Sequence, residues 1–439
     1  MTDRPLFRPP AALVQIAEQL ESAGCQAWAV GGAIRDAILE RPRADWDLAT
    51  DARPEEVLQM FRRTVPLGVD HGTVGVIGQD DSMYEVTTFR LDVETDGRHA
   101  VVEFATEIED DLARRDFTIN SIAWRPTTQE LRDPYHGIED LKAGVLRAVG
   151  DPSGRFAEDY LRVLRAFRFA GAYDLTIEPQ TLSALRAAVV HLDRLSAERV
   201  REELLKVLSA EAPSRSLGMY ADFGALKAWY PEIAPTASGH GWDQALEAID
   251  ALKPHRTFLR VVRLLLCAGG DEDELAERAE ALLRRLKFSN AEIRRGVHLV
   301  AHYQPLVHPA DGSASIREWL HTVETEFSRD LFRLHFAAAR SAGSDEGQRA
   351  LVYTWGRVHE EIVERSPVTV GQLAVDGTDL LALGLPGGPL IGLMLEELLA
   401  QVIEAPERND RDLLLESARE LIELGGLDSL DSLEGGLEE

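Results

Sequence analysis

Residues 30–50 read V-G-G-A-I-R-D-A-I-L-E-R-P-R-A-D-W-D-L-A-T. Just before the glycines, Ala27 to Val30 is a short apolar run that suits a buried strand. Gly31 and Gly32 interrupt it, and Ala33 to Leu39 then carries Ile34, Ile38 and Leu39 at helical spacing. A strand, a glycine pair and a helix start make an anion site, because backbone N–H groups can approach a phosphate there and the helix dipole favours negative charge. Arg35 falls in the first helical turn, within reach of the same phosphate. After Pro42 comes Asp45-Trp46-Asp47; on an extended strand residues i and i+2 share a face, so both carboxylates project together. Two carboxylates that close repel unless a cation sits between them, and hard oxygens suit Mg²⁺. Taken singly, a Gly-Gly pair is usually a turn and an Asp-x-Asp a solvated edge or a cap. In this order and spacing they combine a phosphate cradle with a metal-binding pair, which transfer of a nucleotidyl group requires.

The chain has 439 residues, enough for roughly two to four domains, and its apolar fraction of 45% is ordinary for a globular protein. No apolar run approaches a membrane span, and the start, M-T-D-R-P-L-F-R-P-P, lacks the apolar stretch of a signal peptide. Cys25 and Cys267 are far apart and match no metal spacing, so a reducing cytoplasm is the expected location. A net charge of −28 argues against coating nucleic acid by bulk attraction. The distribution softens that objection: Lys142 to Lys227 holds 13 Lys/Arg against 11 Asp/Glu. From Glu423 onward the charges are all acidic, the composition of a solvated, disordered end.

In chain order, Pro10 to Ala23 fits an amphipathic helix through Leu13, Ile16, Ala17 and Leu20, and a second helix is expected from Glu55 to Phe61 after Pro54. Val74 to Ile77, Tyr84 to Phe89 and Val101 to Phe104 read as strands, the first two joined by the turn Gln79 to Ser82. Strands and helices mix up to about residue 150; beyond it almost every segment has helical spacing. The period switches once, which places a boundary near Gly150-Asp151-Pro152. Glu85 reads equally as a third carboxylate beside the Asp pair or as an acid on a solvated strand face. His71, in the turn Gly68 to Thr73, reads as structural.

Two later blocks carry chemistry. In Arg114-Arg115-Asp116-Phe117-Thr118-Ile119-Asn120, the arginines can hold a sugar and a phosphate while Phe117 and Ile119 anchor the loop in a core. In Arg155 to Phe169, R-F-A-E-D-Y-L-R-V-L-R-A-F-R-F, Asp159, Arg162, Arg165 and Arg168 are each three apart, so on a helix they form one ridge flanked by Leu161, Leu164 and Phe167. A basic ridge is usually a solvated face, but here an acid leads it. Cytosine and adenine both present an exocyclic amino donor beside a ring-nitrogen acceptor. A carboxylate accepts from the first and a guanidinium donates to the second, whereas uracil and guanine oppose both partners. An Asp–Arg pair can therefore select C and A without a nucleic-acid template. Leu195 to Leu208, with Ser196 as its N-cap, reads as a structural brace.

G-G-A-I-R-D followed by D-W-D resembles the signature of class II tRNA nucleotidyltransferases (CCA-adding enzymes) and the related bacterial poly(A) polymerases. R-R-D-F-T-I-N agrees with that family at seven consecutive residues, and Asp133-Pro134-Tyr135, Gly137 and Asp140-Leu141 resemble its next block, which joins head to neck. The resemblance runs from about Gln26 to Leu421, specific through residue 208 and looser after it. It implies an α/β nucleotidyltransferase head with a small mixed sheet, followed by an all-helical neck, body and tail. The expected divisions are 1–150 for the head, 151–225 for the neck, 226–345 for the body, 346–422 for a tRNA-binding tail and 423–439 for the acidic end. It implies Asp45 and Asp47 as catalytic ligands of Mg²⁺. It further implies Gly31, Gly32, Arg35, Arg115, Asp159, Arg162, Arg165 and Arg168 as nucleotide-binding residues, Asp159 and Arg162 being the templating pair. Its substrates would be ATP, CTP and tRNA, with neither membrane nor DNA as partner.

Residues 235–303 depart from many bacterial relatives, which carry a His-Asp phosphohydrolase domain there. Gly239-His240-Gly241-Trp242-Asp243 and Leu265 to Gly269 stand in place of the ligands, so a degenerate, non-hydrolytic helical body is expected. Gly388-Pro389-Leu390-Ile391-Gly392, before a helix expected at Leu393 to Ile403, resembles the tail that contacts the tRNA elbow. Three alternatives stay open. A partial enzyme would add only CC or only A, and the loop Leu91 to Val102 looks slightly short and lacks the family's usual Pro. A poly(A) polymerase would call for a basic C-terminal extension. A non-enzymatic tRNA-binding module would not require intact Asp45 and Asp47.

Overall fold

The computed structural model describes residues 7–41, 46–69, 72–95, 100–269, 271–304 and 306–423. Strand β1 (Ala27–Val30), buried at all four positions, runs inside a seven-stranded sheet. Its partners are the antiparallel β2 (Asp47–Thr50), with Val30 opposite Asp47, and, also antiparallel, β8 (Ala123–Trp124). Strands β3 (Thr64–Gly68), β4 (Thr73–Ile77) and β5 (Met83–Thr88) form a meander, and β5 closes against β2 in parallel register, Leu48 beside Val86. The hairpin β6 (Arg90–Thr95) and β7 (Ala100–Phe104) is a separate two-stranded sheet. β8 (Ala123–Trp124) and β9 (Leu131–Arg132) complete the order β3-β4-β5-β2-β1-β8-β9. One parallel pair among antiparallel ones makes this the expected mixed sheet. The side chains of 92–103, and with them most of the loop Leu91 to Val102, lie outside the described residues, as do Asp70 and His71.

Helices pack on this sheet for reasons already visible in the residues. α1 (Ala11–Ser22) buries Leu13, Ile16, Ala17 and Leu20, one stripe at helical spacing. α2 (Gly32–Ile38) follows the glycine pair, and α3 (Pro54–Met60) starts on Pro54 with the Glu56 carboxylate accepting from the Arg53 N–H at 2.7 Å. α4 (Ile108–Ala113) leads into the R-R-D-F-T-I-N block, where Phe117 and Ile119 are fully buried as the sequence suggests. α5 (Gly137–Ala143) is started by Asp133, whose carboxylate accepts from the N–H groups of Gly137 and Ile138.

Beyond residue 150 the helices are α6 (Pro152–Glu158), α7 (Leu161–Tyr173), α8 (Pro179–Ala188), α9 (Ala197–Leu208), α10 (Pro213–Asp222) and α11 (Leu226–Trp229). The chain divides into two compact units, Met1–Pro235 and Thr236–Glu439, so the period switch near Gly150 is a change of element type inside the first unit. A parallel bridge of β10 (Val145–Leu146) to β11 (Thr176–Ile177) ties the helices to the sheet-bearing part, and the Asp151 carboxylate caps α6 through the Gly154 N–H at 2.7 Å.

The second unit is helical throughout its described residues: α12 (Gly239–Ala251), α13 (Thr257–Leu265), α14 (Glu272–Arg285), α15 (Asn290–Ala301), α16 (Ser313–Val323), α17 (Thr325–Ser341), α18 (Asp345–Glu364), α19 (Gly377–Ala382), α20 (Pro389–Glu404) and α21 (Arg411–Glu423). The helical pattern from Leu283 to Ala301 is two helices, because Ser289 and Glu292 form a capping box that starts α15 afresh. α20 starts four residues before the expected Leu393, with Pro389 at its first position after Gly388 at φ 127°. No helix among the described residues is long and apolar enough to cross a membrane.

Candidate active site

The sheet register assembles the first wall. Val30 pairs with Asp47, so the Gly31–Gly32 turn leaves β1 beside the first residue of β2. Leu48 pairs with Val86 in parallel, which carries Asp47 alongside Glu85 on the neighbouring strand. Asp47, Glu85, Gly31 and Gly32 all line one cleft of about 600 Å³. Asp45 lies outside the described residues, and β2 itself begins at Asp47. Asp47 and Glu85 are hard oxygen donors side by side on neighbouring strands, a donor set that fits a divalent ion such as Mg²⁺. Among the described residues, no group of three or more His, Cys, Asp or Glu could hold a metal ion on its own.

Gly31 is there for two reasons. Its φ is +70°, which an L side chain rarely adopts, and a Cβ would stand 2.9 Å from Arg115 Nη1. The guanidinium of Arg115 thus lies directly on the turn. It is fixed by donating to Asp111 Oδ2 from Nη2 at 2.8 Å and to the Asn120 carbonyl from Nη1 at 3.2 Å. Burial works to raise the Asp111 carboxyl, but Arg115, Arg114 and Arg90 hold it below the ordinary carboxylate range.

Arg35 lines the cleft, yet its guanidinium is committed elsewhere than the expected reach to a phosphate. Nε donates to Asp36 at 2.9 Å, Nη1 to Asn120 Oδ1 and Nη2 to the Tyr173 hydroxyl, both at 2.5 Å, and the group stacks over the Phe169 and Tyr173 rings. It pins the glycine-led helix α2 to the R-R-D-F-T-I-N block and to α7. Asn120 continues the brace by donating from Nδ2 to Asp116 Oδ1 at 2.9 Å, and Arg165 Nε donates to Asp116 Oδ2 at 2.7 Å. Burial alone would raise the Asp116 carboxyl; the charge of Arg165, the Asn120 amide and Arg162 bring it down to about 2.

The second wall is α7, and here the expected single ridge is corrected. Asp159 is not helical: it sits at φ −155°, extended, as the one-residue break after α6, with Tyr160 opening α7. Only Arg162, Arg165 and Arg168 share the helix. The extended residue nevertheless turns its carboxylate into the same cleft. Asp159 Oδ1 accepts from the Leu161 N–H at 3.0 Å and Oδ2 from Arg199 Nη2 at 2.6 Å. Arg162 uses Nη1 on Glu158 and the Arg155 carbonyl, and one Nη2 hydrogen on the Arg114 carbonyl. Its Nε–H and second Nη2–H have no hydrogen-bond partner among the described residues.

Arg199 and Lys206 belong to the cleft too, although Leu195 to Leu208 reads from sequence as a brace. Helix α9 starts at Ala197 with Ser196 in the N-cap position, but that hydroxyl makes no capping bond. Arg199, Glu203 and Lys206 are four and three residues apart, on one face of α9. Arg199 holds Asp159, and Glu203, buried, accepts from Arg168 Nε at 2.5 Å. The signal was present as charge complementarity: Asp159 and Arg168 meet Arg199 and Glu203.

Among the described residues, nine Arg/Lys and five Asp/Glu side chains line the cleft, a local cationic surplus inside an acidic protein. A glycine turn against a guanidinium, an acid-bearing pair of strands and a guanidinium-bearing helix define a nucleotidyltransferase cleft. Residues 27–147 match the family model of the Poly A polymerase head domain, and residues 174–236 match that of the probable RNA and SrmB-binding site of polymerase A. The CCA-adding enzyme of Levilactobacillus brevis is 33% identical over 91% of this chain and 95% of its own length; that of Streptococcus suis is 34% identical over 93% and 96%. The crystal structure of the Bacillus stearothermophilus CCA-adding enzyme in complex with CTP superposes with a TM-score of 0.78 at 28% identity, covering 96% of this chain and 100% of that one. A Thermotoga maritima CCA-adding enzyme complexed with tRNA shares the fold, with a TM-score of 0.59 at 21% identity. The chain belongs to the family of CCA-adding enzymes.

Proposed function

We propose that this cleft adds C and A from CTP and ATP to the 3′ end of tRNA, releasing pyrophosphate and choosing bases without a nucleic-acid template. The observation that carries the reading is the meeting, in one cleft, of Asp47 at the start of β2 with Asp159 and Arg162 at the junction of α6 and α7. The relatives named CCA-adding enzymes support addition of the whole triplet over partial addition or poly(A) synthesis.

The residues divide the work. Asp45 and Asp47 would hold Mg²⁺, with Glu85 beside Asp47. When bound, such an ion makes the RNA 3′-hydroxyl a better nucleophile and steadies the leaving pyrophosphate. The Gly31–Gly32 backbone and Arg115 face the triphosphate; Arg35 positions this turn through Asn120 and Tyr173 rather than by touching substrate. Asp159 accepts from the exocyclic amino group of C or A while the remaining donors of Arg162 reach the ring nitrogen. Arg199 fixes the Asp159 carboxylate, and Arg165 and Arg168 keep α7 in place through Asp116 and Glu203. Within the first unit we assign 1–150 as head and 151–225 as neck; we assign 226–345 as body and 346–422 as tRNA-binding tail.

The test pairs two variants, each offered the four nucleotides and tRNA ending before, within and after CC. Asp47→Asn is expected to fold normally, by circular dichroism, and to lose incorporation by about 10²–10³-fold. Asp159→Ala is expected to retain chemistry but lose about 5- to 150-fold of its preference for C and A over U and G. Full preference in Asp159→Ala would move base selection off this helix break. Near-parental turnover in Asp47→Asn would move the metal site.

A further inference from the structure

The second unit carries a groove of about 510 Å³ between α17, α18 and the segment after α12. Its floor is apolar, with Phe332 and Trp355 below and Phe336 and Val352 exposed at 37% and 61%. Its rim is basic: Lys253, Arg256, Arg329, Arg333 and Arg340 surround it, and no Asp or Glu among the described residues lines it. Arg333 is paired with Asp330, and Arg329 lies over the Trp355 ring, whereas Lys253, Arg256 and Arg340 have no described carboxylate within ion-pair distance. In a chain of net charge −28, an apolar floor inside a cationic rim calls for an acidic, apolar occupant.

The same chain supplies one. Residues 424–439 read L-G-G-L-D-S-L-D-S-L-E-G-G-L-E-E, with Leu424, Leu427, Leu430 and Leu433 each three apart and only acids for charge. Leucines recurring every third residue, with Asp428, Asp431 and Glu434 between and after them, make the segment apolar and acidic at once. We propose that this acidic, leucine-spaced segment docks on the α17–α18 groove of its own chain, leucines on the aromatic floor and carboxylates on the rim. Reach is not limiting: sixteen residues span up to about 50 Å extended, and a unit of about 200 residues has a radius of gyration of about 17 Å. The exposed apolar floor favours leucines over an RNA backbone, which needs cations but no oily surface.

The experiment places a photo-crosslinker in the full chain as Leu433→p-benzoylphenylalanine and maps the products by mass spectrometry. The expected product is a crosslink within one chain, to peptides spanning 329–340 or 351–359. Lys253→Glu, Arg329→Glu and Arg340→Glu together, all at exposed positions, are expected to weaken docking about tenfold. The corresponding triple Gln variant is expected to fall between, with both unfolding midpoints near the parent's. Crosslinks elsewhere on the chain, products of twice the chain mass, or a yield indifferent to the rim charges would overturn the proposal. So would a segment that crosslinks nowhere while the Glu variant loses affinity for a short RNA hairpin, which would assign the groove to RNA.

Discussion

Asp116 ties the two walls of the cleft together, because the same carboxylate accepts from Asn120 and from Arg165. Its pKa is held at about 2, below the ordinary 3.8, so its stabilisation is fully present above about pH 4 and fades as pH falls toward 2. The gap corresponds to about 2 kcal/mol. Asp116→Asn is expected to remove that acid-side loss from the stability profile. It is also expected to cost about 1–2 kcal/mol at neutral pH, where the half-buried Arg165 loses its partner. Urea unfolding at pH 7, 4 and 3 checks both; equal acid slopes in parent and variant would clear Asp116 of the effect. Single residues were legible where their chemistry was local. Asp47 beside Gly31 follows from neighbouring segments of sequence. Arg35 does not, since the partners that occupy it, Asn120 and Tyr173, stand 85 and 138 residues further along the chain.

At the scale of elements, helix α7 is held at three points: Asp116 grips Arg165, Glu203 of α9 grips Arg168, and α10 presses on Gly171. A Cβ at Gly171 would lie 2.2 Å from Ser216 Oγ and 2.7 Å from the Ser216 backbone nitrogen, and backbone cannot swing aside. Gly171→Ala is therefore expected to force α7 and α10 apart at a cost of about 1–3 kcal/mol and to raise the KM for nucleotides. Thermal unfolding beside nucleotide titration checks this, and an unchanged midpoint would mean that α10 yields freely. Periodicity gave the helices of this region well. It missed the break at Asp159 because i, i+3 spacing of Asp159, Arg162, Arg165 and Arg168 looks continuous, while the Leu161 N–H bonded to the Asp159 carboxylate opens a new helix instead. The brace read at α9 is seen in its bonds to Arg168 and Asp159, but that Arg199 and Lys206 also line the cleft shows only from the face opposite them.

For the whole molecule, a net charge of −28 coexists with a cleft holding four more cations than acids, so RNA contact rests on local surfaces and not on overall attraction. Lys206, exposed on the cleft wall, is suited to a phosphate. Lys206→Ala is expected to lower the slope of log affinity for tRNA against log salt by about one while leaving the choice of C and A intact. An unchanged slope would place Lys206 away from the RNA. The alternation of strands and helices up to residue 150 made the mixed sheet legible; the division after Pro235 was not, because helices continue across it with no change of period. The break at Asp159 has one more consequence. Under the proposed function, chemistry stands on the neighbouring strands β2 and β5 beside the β1 turn, and recognition on the junction of α6 and α7, held from behind by α9. Mutation can therefore explore the two separately: a lineage, or a directed library, can change which letters are written at Asp159, Arg162 and Arg199 while the machinery that joins them is inherited untouched.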